Sequence, residues 1–115
     1  MSIQEILEIV GGEVISNMDT VSDTIDCAFA SDLMSDVLTV RNHETLMLIT
    51  GLTNLQTIRT CEMSDIKYIL FVRGKEVTDD MKALADENDI LLLRTKYSLY
   101  RTAGLLFGAG LKPVY

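Results

Sequence analysis

Four short apolar runs, Thr24–Ala30, Thr45–Thr50, Ile66–Val72 and Ile90–Leu93, alternate with stretches of helical periodicity. That alternation constrains the fold of this chain more than any other feature. Apolar strands separated by helices of about ten residues are the mark of crossover units and a mainly parallel sheet covered on both faces. The expected fold class is α/β, a three-layer α/β/α sandwich. Ile25, Phe29, Leu48, Ile69, Phe71 and Leu92 are its predicted core. At 115 residues, with no Ser/Gly-rich linker and one Pro (Pro113), residues 1–115 read as a single domain.

The helices declare themselves by caps and stripes. Ser2-Ile3-Gln4-Glu5 is a capping box, Ile3, Ile6, Leu7 and Val10 form one apolar face, and Gly11-Gly12 supplies a left-handed stop. A short strand, Glu13–Ser16, at an edge or antiparallel, and a polar connection, Asn17–Asp23, follow. Ser31-Asp32 is placed to cap a helix with Leu33, Met34, Val37 and Leu38. Thr53-Asn54-Leu55-Gln56 reads as a second capping box, opening a helix through about Met63. Val77–Glu87 and Ser98–Phe107 are the last two predicted helices.

In open α/β sheets, ligands bind outside the carboxyl ends of the strands, where loops and helix N-termini converge. Here those ends are Ala30-Ser31-Asp32, Thr50-Gly51-Leu52-Thr53-Asn54, Arg73-Gly74-Lys75 and Thr95-Lys96-Tyr97-Ser98. The candidate ligand-binding residues are therefore Ser31, Asp32, Thr50, Gly51, Thr53, Asn54, Arg73, Gly74, Lys75, Thr95, Lys96, Tyr97 and Ser98. Arg73, Lys75 and Lys96 make this rim basic on an acidic chain, which points to a small anionic or polar ligand. Each residue also has a plainer role. Ser31, Thr53 and Ser98 stand where a helix prefers a hydroxyl cap, Gly51 and Gly74 suit turns, and the cations suit water.

Other classes are excluded by what is missing. A net charge of −7, with ten basic residues scattered among seventeen acidic ones, gives no patch for nucleic acid. No apolar run approaches the roughly 20 residues that cross a bilayer, and the start carries no secretory pattern, so no membrane and a cytoplasmic location are expected. Cys27 and Cys61, without C-x-x-C spacing, are expected to be reduced, buried thiols. His43, the only His, lies in the polar connection before a strand, and Asp32 and Asp36 read as an i,i+4 pair on a solvated helix face. No nucleophile elbow, metal-ligand cluster or phosphate loop is present in the sequence, so neither an enzyme, a metal nor a cofactor is expected. Gly108-Ala109-Gly110-Leu111-Lys112 follows a helix rather than opening one and does not read as a phosphate cradle.

Leu7-Glu8-Ile9-Val10-Gly11-Gly12-Glu13-Val14-Ile15, then the strand end Ala28–Ser31, resembles the start of a DRTGG domain. Leu48-Ile49-Thr50-Gly51 through Asn54-Leu55-Gln56 is similar to that family's strand–loop–helix. Ala83-Leu84-Ala85 leading to Leu91–Ser98 resembles its closing strand and last helix. The resemblance runs over nearly the whole chain, in dispersed short matches. It implies a stand-alone α/β/α domain similar to the N-terminal domain of HPr kinase, frequently homodimeric, with a regulatory or ligand-sensing role. The kinase activity of that relative belongs to a separate P-loop domain, of which this sequence carries no motif. The family's Asp-Arg pair after the Gly-containing turn is replaced by Leu52 between Gly51 and Thr53.

Two readings of function follow. One is a non-catalytic regulatory domain, dimeric, binding a small phosphorylated or nucleotide-like metabolite. The other is a protein–protein interaction module of a larger enzyme or electron-transfer complex, with no small ligand. A small enzyme using Arg73, Lys75 or Lys96 for phosphate chemistry is the weakest of the alternatives. The apolar tail Leu105–Tyr115 must cover its own core or meet another subunit, since chain ends fray unless tied down. Gly104, Gly108, Ala109 and Gly110 would permit close backbone approach in either case.

Overall fold

The apolar runs become the inner strands of one sheet in the computed structural model, which describes residues 1–16, 23–41 and 44–115. The strands are β1 (Glu13–Val14), β2 (Cys27–Ala30), β3 (Leu46–Thr50), β4 (Tyr68–Phe71), β5 (Leu91–Arg94) and β6 (Lys112–Pro113). Their order is β1-β5-β4-β3-β2-β6. Neighbours from β2 to β5 are parallel, β6 runs parallel beside β2, and β1 lies antiparallel on β5. Every residue of the central β3 is buried, as a strand covered on both faces must be.

The helices are α1 (Ile3–Val10), α2 (Met34–Val37), α3 (Leu55–Met63), α4 (Asp79–Glu87) and α5 (Leu99–Gly108). From β2 to β5 the chain steps one strand at a time in one direction, and right-handed crossovers therefore place α2, α3 and α4 on one face. After β5 it travels back across the sheet to β6, so the same handedness sends α5 to the other face, beside α1. Strand residues alternate between the two cores with period two. Leu48, Ile69 and Leu92 pack with Met34, Ile58 and Met81, whereas Met47, Leu70 and Leu93 pack with Ile3, Ile6 and Leu106. The result is the three-layer α/β/α sandwich.

Several local expectations are corrected. The helix after β2 starts at Met34, with Leu33 in the cap position, because the Asp32 carboxylate is drawn away to the β3 loop and Ser31 Oγ accepts only from Leu33 N. Asp32 and Asp36 therefore share no helix face. Asn54, not Thr53, caps α3: its Oδ1 accepts from Thr57 N, while the Thr53 hydroxyl donates to Gly51 O. Phe29 is only half-buried, because the β6 pairing beside β2 stops at Ala28 and leaves it flanked by the exposed ring of Tyr115, edge-on at 5.9 Å. The strands are shorter than the apolar runs: Thr24–Ala30 narrows to β2, with Thr24 in an isolated bridge to Ser2.

The tail folds onto its own domain. Leu111 is buried, Lys112–Pro113 pairs with Cys27–Ala28, and Val114 N donates to Ala28 O. Cys27 and Cys61 are buried and form no disulfide. No helix among the described residues is long and apolar enough to cross a membrane. The connection Asn17–Asp23 (apart from Asp23) and His43 lie outside the described residues.

Candidate functional site

The carboxyl ends of β2 to β5 bring the four predicted loops to one rim, and side-chain chemistry divides that rim in two. On the β2/β3 side the polar groups satisfy one another. Asp32 Oδ1 accepts from Gly51 N at 2.6 Å and from Thr50 Oγ1 at 3.0 Å, and Thr50 Oγ1 accepts in turn from Leu52 N. Lys75 reaches over from the β4 loop, and its Nζ donates to Gly51 O at 2.5 Å. The Thr57 hydroxyl donates to Leu52 O. Thr50 is fully buried. This half is a bolted joint, with its cation engaged on a main-chain carbonyl.

The β4/β5 side is built differently. Here α4 and α5 leave on opposite faces of the sheet, which is the arrangement that opens a crevice between adjacent loops of an α/β sheet. Arg73 and Gly74 both take left-handed backbone, with φ of 66° and 63°, and the turn is held by Arg73 N donating to Tyr97 O and Gly74 N to Thr95 O. A polar cleft of about 310 Å³ lies beside it, lined by Gly11, Gly12, Gly74, Arg94, Thr95 and Lys96, with Glu13. Three of its walls are glycines. Gly11 is the left-handed cap of α1, and a Cβ on Gly12 would stand 2.9 Å from Arg94 O, so the backbone itself requires a wall without side chains.

The cations of this half are not equivalent. Arg94 is held by Glu13 across the β1/β5 pair, through Nε at 3.1 Å and through Nη2. Lys96 and Arg73 are exposed, and their side chains make no hydrogen bond or ion pair among the described residues. Thr95 is buried, and its hydroxyl donates to Val10 O, tying the loop to the end of α1. Tyr97 is half-buried under the Arg101 guanidinium, 3.7 Å from its ring centre. Ser98 caps α5, accepting from Arg101 N.

The predicted residues thus separate. Ser31, Asp32, Thr50, Gly51, Thr53, Asn54 and Lys75 belong to the bolted half, whereas Arg73, Gly74, Lys96, Tyr97 and Ser98 surround the open half, with Thr95 beneath it. Gly11, Gly12, Glu13 and Arg94 were not predicted. They reach the rim because β1 is antiparallel: its first residue, Glu13, pairs with the last residue of β5, Arg94. The Gly-Gly pair before a short strand was the available signal, and only the strand's direction gives it meaning. Among the described residues two groups have displaced pKa values, and both lie elsewhere. Burial on the inner face of α3 pushes Cys61 up to about 12, which removes it as a thiolate nucleophile. Tyr68, at the start of β4, is raised to about 12 by burial and then by its hydrogen bond to Asp23. Among the described residues no group of three or more His, Cys, Asp or Glu side chains is arranged to hold a metal.

No protein-family model matches this sequence, and no curated protein does. A solved structure matches in fold: the CBS and DRTGG domains of the regulatory region of Clostridium perfringens pyrophosphatase, complexed with an activator, diadenosine tetraphosphate. The TM-score is 0.69 over 91% of this chain, at 16% identity. The match takes in 45% of that chain, so this chain spans less than half its length. At that identity the likeness is one of fold, and it agrees with the resemblance carried by the sequence: the fold is DRTGG-like.

Proposed function

We propose that this chain is a non-catalytic regulatory domain that senses a small phosphorylated or nucleotide-like metabolite in the cleft between the β4 and β5 loops, and that it works as a homodimer. The observation that carries this reading is the open half of the rim. A polar cleft with glycine walls lies where α4 and α5 diverge, and Lys96 stands at its edge with an unengaged ammonium. A cation with no partner among the described residues of an acidic chain is a ready counter-charge for an anion, and glycine walls let a phosphate approach main chain. The activator in the Clostridium perfringens structure supports the nucleotide class. A cytoplasmic setting, where nucleotides are abundant and Cys27 and Cys61 stay reduced, belongs to the same reading.

The test is thermal unfolding against a panel of adenine mononucleotides, diadenosine tetraphosphate and inorganic phosphate. A ligand at 100 times its Kd should add about 2.7 kcal/mol of stability. No stabilisation by any member at millimolar concentration would remove the sensing role. The second reading, an interaction module of a larger enzyme or electron-transfer complex without a small ligand, draws on the bolted half, which is ordered by its own bonds and needs no ligand. Light scattering at micromolar concentration tests the dimer: two chains of 12.8 kDa are expected, and a one-chain mass would refute it.

A further inference from the structure

We infer that a second copy of this chain docks on the outer face of α5, the two helices crossing antiparallel about a two-fold axis at Gly104. This rests on the dimeric reading above and adds where the contact lies. Gly104 and Gly108 are exposed within α5, and glycine is the poorest helix former after proline. A Cβ at either position would meet nothing within 4 Å, so the packing of the single domain does not require them. Gly12 is the contrast, since its Cβ would collide with Arg94 O at 2.9 Å. The reason for two bare positions one turn apart lies outside the domain: a helix without side chains there admits another backbone closely.

Large apolar groups flank those positions. Tyr100 is 90% exposed and Phe107 68%, and Tyr100, Gly104 and Gly108 form one i,i+4,i+8 ridge. A two-fold axis at Gly104 sets Tyr100 of each copy over Gly108 of the other, large on small. Phe107 is itself a wall of the shallow apolar groove of about 170 Å³ between α5 and the β2/β6 edge, with Ala28, Ala30, Ile49 and Leu106, and so brings that groove to the seam. Aromatic side chains bury roughly 150–250 Å² each, so these two alone supply about half of the ~800 Å² per partner of a stable interface.

Charge selects the occupant. All seventeen acidic residues fall within residues 1–89, and residues 90–115 carry none. The charged side chains of that last segment are four cations, Arg94, Lys96, Arg101 and Lys112, of which one is on α5, so two copies of net charge −7 that meet through α5 keep their acidic surfaces apart. On α5 itself an acidic peptide or an anionic lipid surface would find a single cation to hold it. Arg101 is the only charge on α5, and it lies over the Tyr97 ring.

Gly104→Arg tests the contact without disturbing the domain, since the monomer leaves that position open. Light scattering should give two chains for the wild type and one for Gly104→Arg, with unchanged circular dichroism. Gly104→Cys should form a disulfide-linked dimer on mild oxidation, the two sulfurs meeting at the axis. A Gly104→Arg protein that remains dimeric would overturn this interface while leaving the dimer intact. A monomeric wild type would overturn both. Sedimentation with phosphatidylglycerol vesicles should leave the protein in the supernatant, and a monomer that sediments would make this face a lipid contact instead.

Discussion

The two halves of the carboxyl rim use the same kinds of residue to opposite ends. Each has a threonine ending or following a strand, a glycine in the turn and a lysine nearby. On the β2/β3 side Asp32 joins Thr50 and Gly51, and Lys75 is held by the Gly51 carbonyl, so that all four form one hydrogen-bonded unit. On the β4/β5 side Thr95 turns inward to Val10, and Lys96 is left in water beside a cleft. The internal acceptors make the difference. Asp32 takes up the donors of its own loop and Gly51 O takes up Lys75, whereas among the described residues no acceptor does so for Lys96. A basic loop is therefore informative about ligands only once its internal acceptors have been counted.

The largest expected effect tests the ground on which the bolted half stands. Leu48 lies in β3, fully buried between the helices and the strands on either side. Leu48→Ala should lower unfolding free energy by about 2–5 kcal/mol, the range for emptying a core leucine site. Chemical denaturation giving less than about 1 kcal/mol would mean that β3 is peripheral. Next comes the bolt itself. Asp32→Ala leaves the Thr50 hydroxyl and Gly51 N–H without their acceptor, and should cost about 1–3 kcal/mol. Were stability unchanged and ligand response lost instead, the two halves would have been assigned the wrong way round.

Much of the architecture was legible because it is local. Inner strands such as Leu46–Thr50 are continuous apolar runs, and α1, capped by Ser2 and Glu5 and stopped by Gly11, is written in a dozen consecutive residues. The rim was legible as a set of four loops, since strand ends follow from strand positions. Its division was not. Which acceptor Lys75 finds depends on Gly51 O, twenty-four residues away, and the arrival of Gly11 and Gly12 depends on β1 pairing backwards with β5. The cap of α3 shows the same limit at short range. Thr53 and Asn54 both suit the position, and only the geometry of the Gly51 turn decides between them.

Gly74 sharpens the comparison from the open side. Its φ of 63° is left-handed, and a Cβ there would touch Lys96 Cγ at an ordinary 3.6 Å. Gly74→Ala should therefore cost about 1 kcal/mol in backbone strain, with no steric clash to add to it. A loss several times larger would show that this turn is as tightly determined as its bolted neighbour.

The smallest effect on stability belongs to Lys96, and it is the most decisive for function. Its side chain has no partner among the described residues, so Lys96→Ala should change unfolding free energy by no more than about 0.5 kcal/mol, as at other surface positions. If the cleft binds an anion, the same change removes a charged hydrogen bond of about 1.5–3 kcal/mol, or roughly ten- to a hundred-fold in affinity. Lys75→Ala should behave in the reverse sense, lowering stability because Gly51 O loses its donor while ligand affinity holds. Calorimetric titration of both variants with whichever nucleotide stabilises the wild type separates the two lysines. Equal loss of affinity in both would mean that the whole rim grips the ligand. Loss in Lys75→Ala alone would move the site to the β2/β3 half, and the contrast between the halves would fail there.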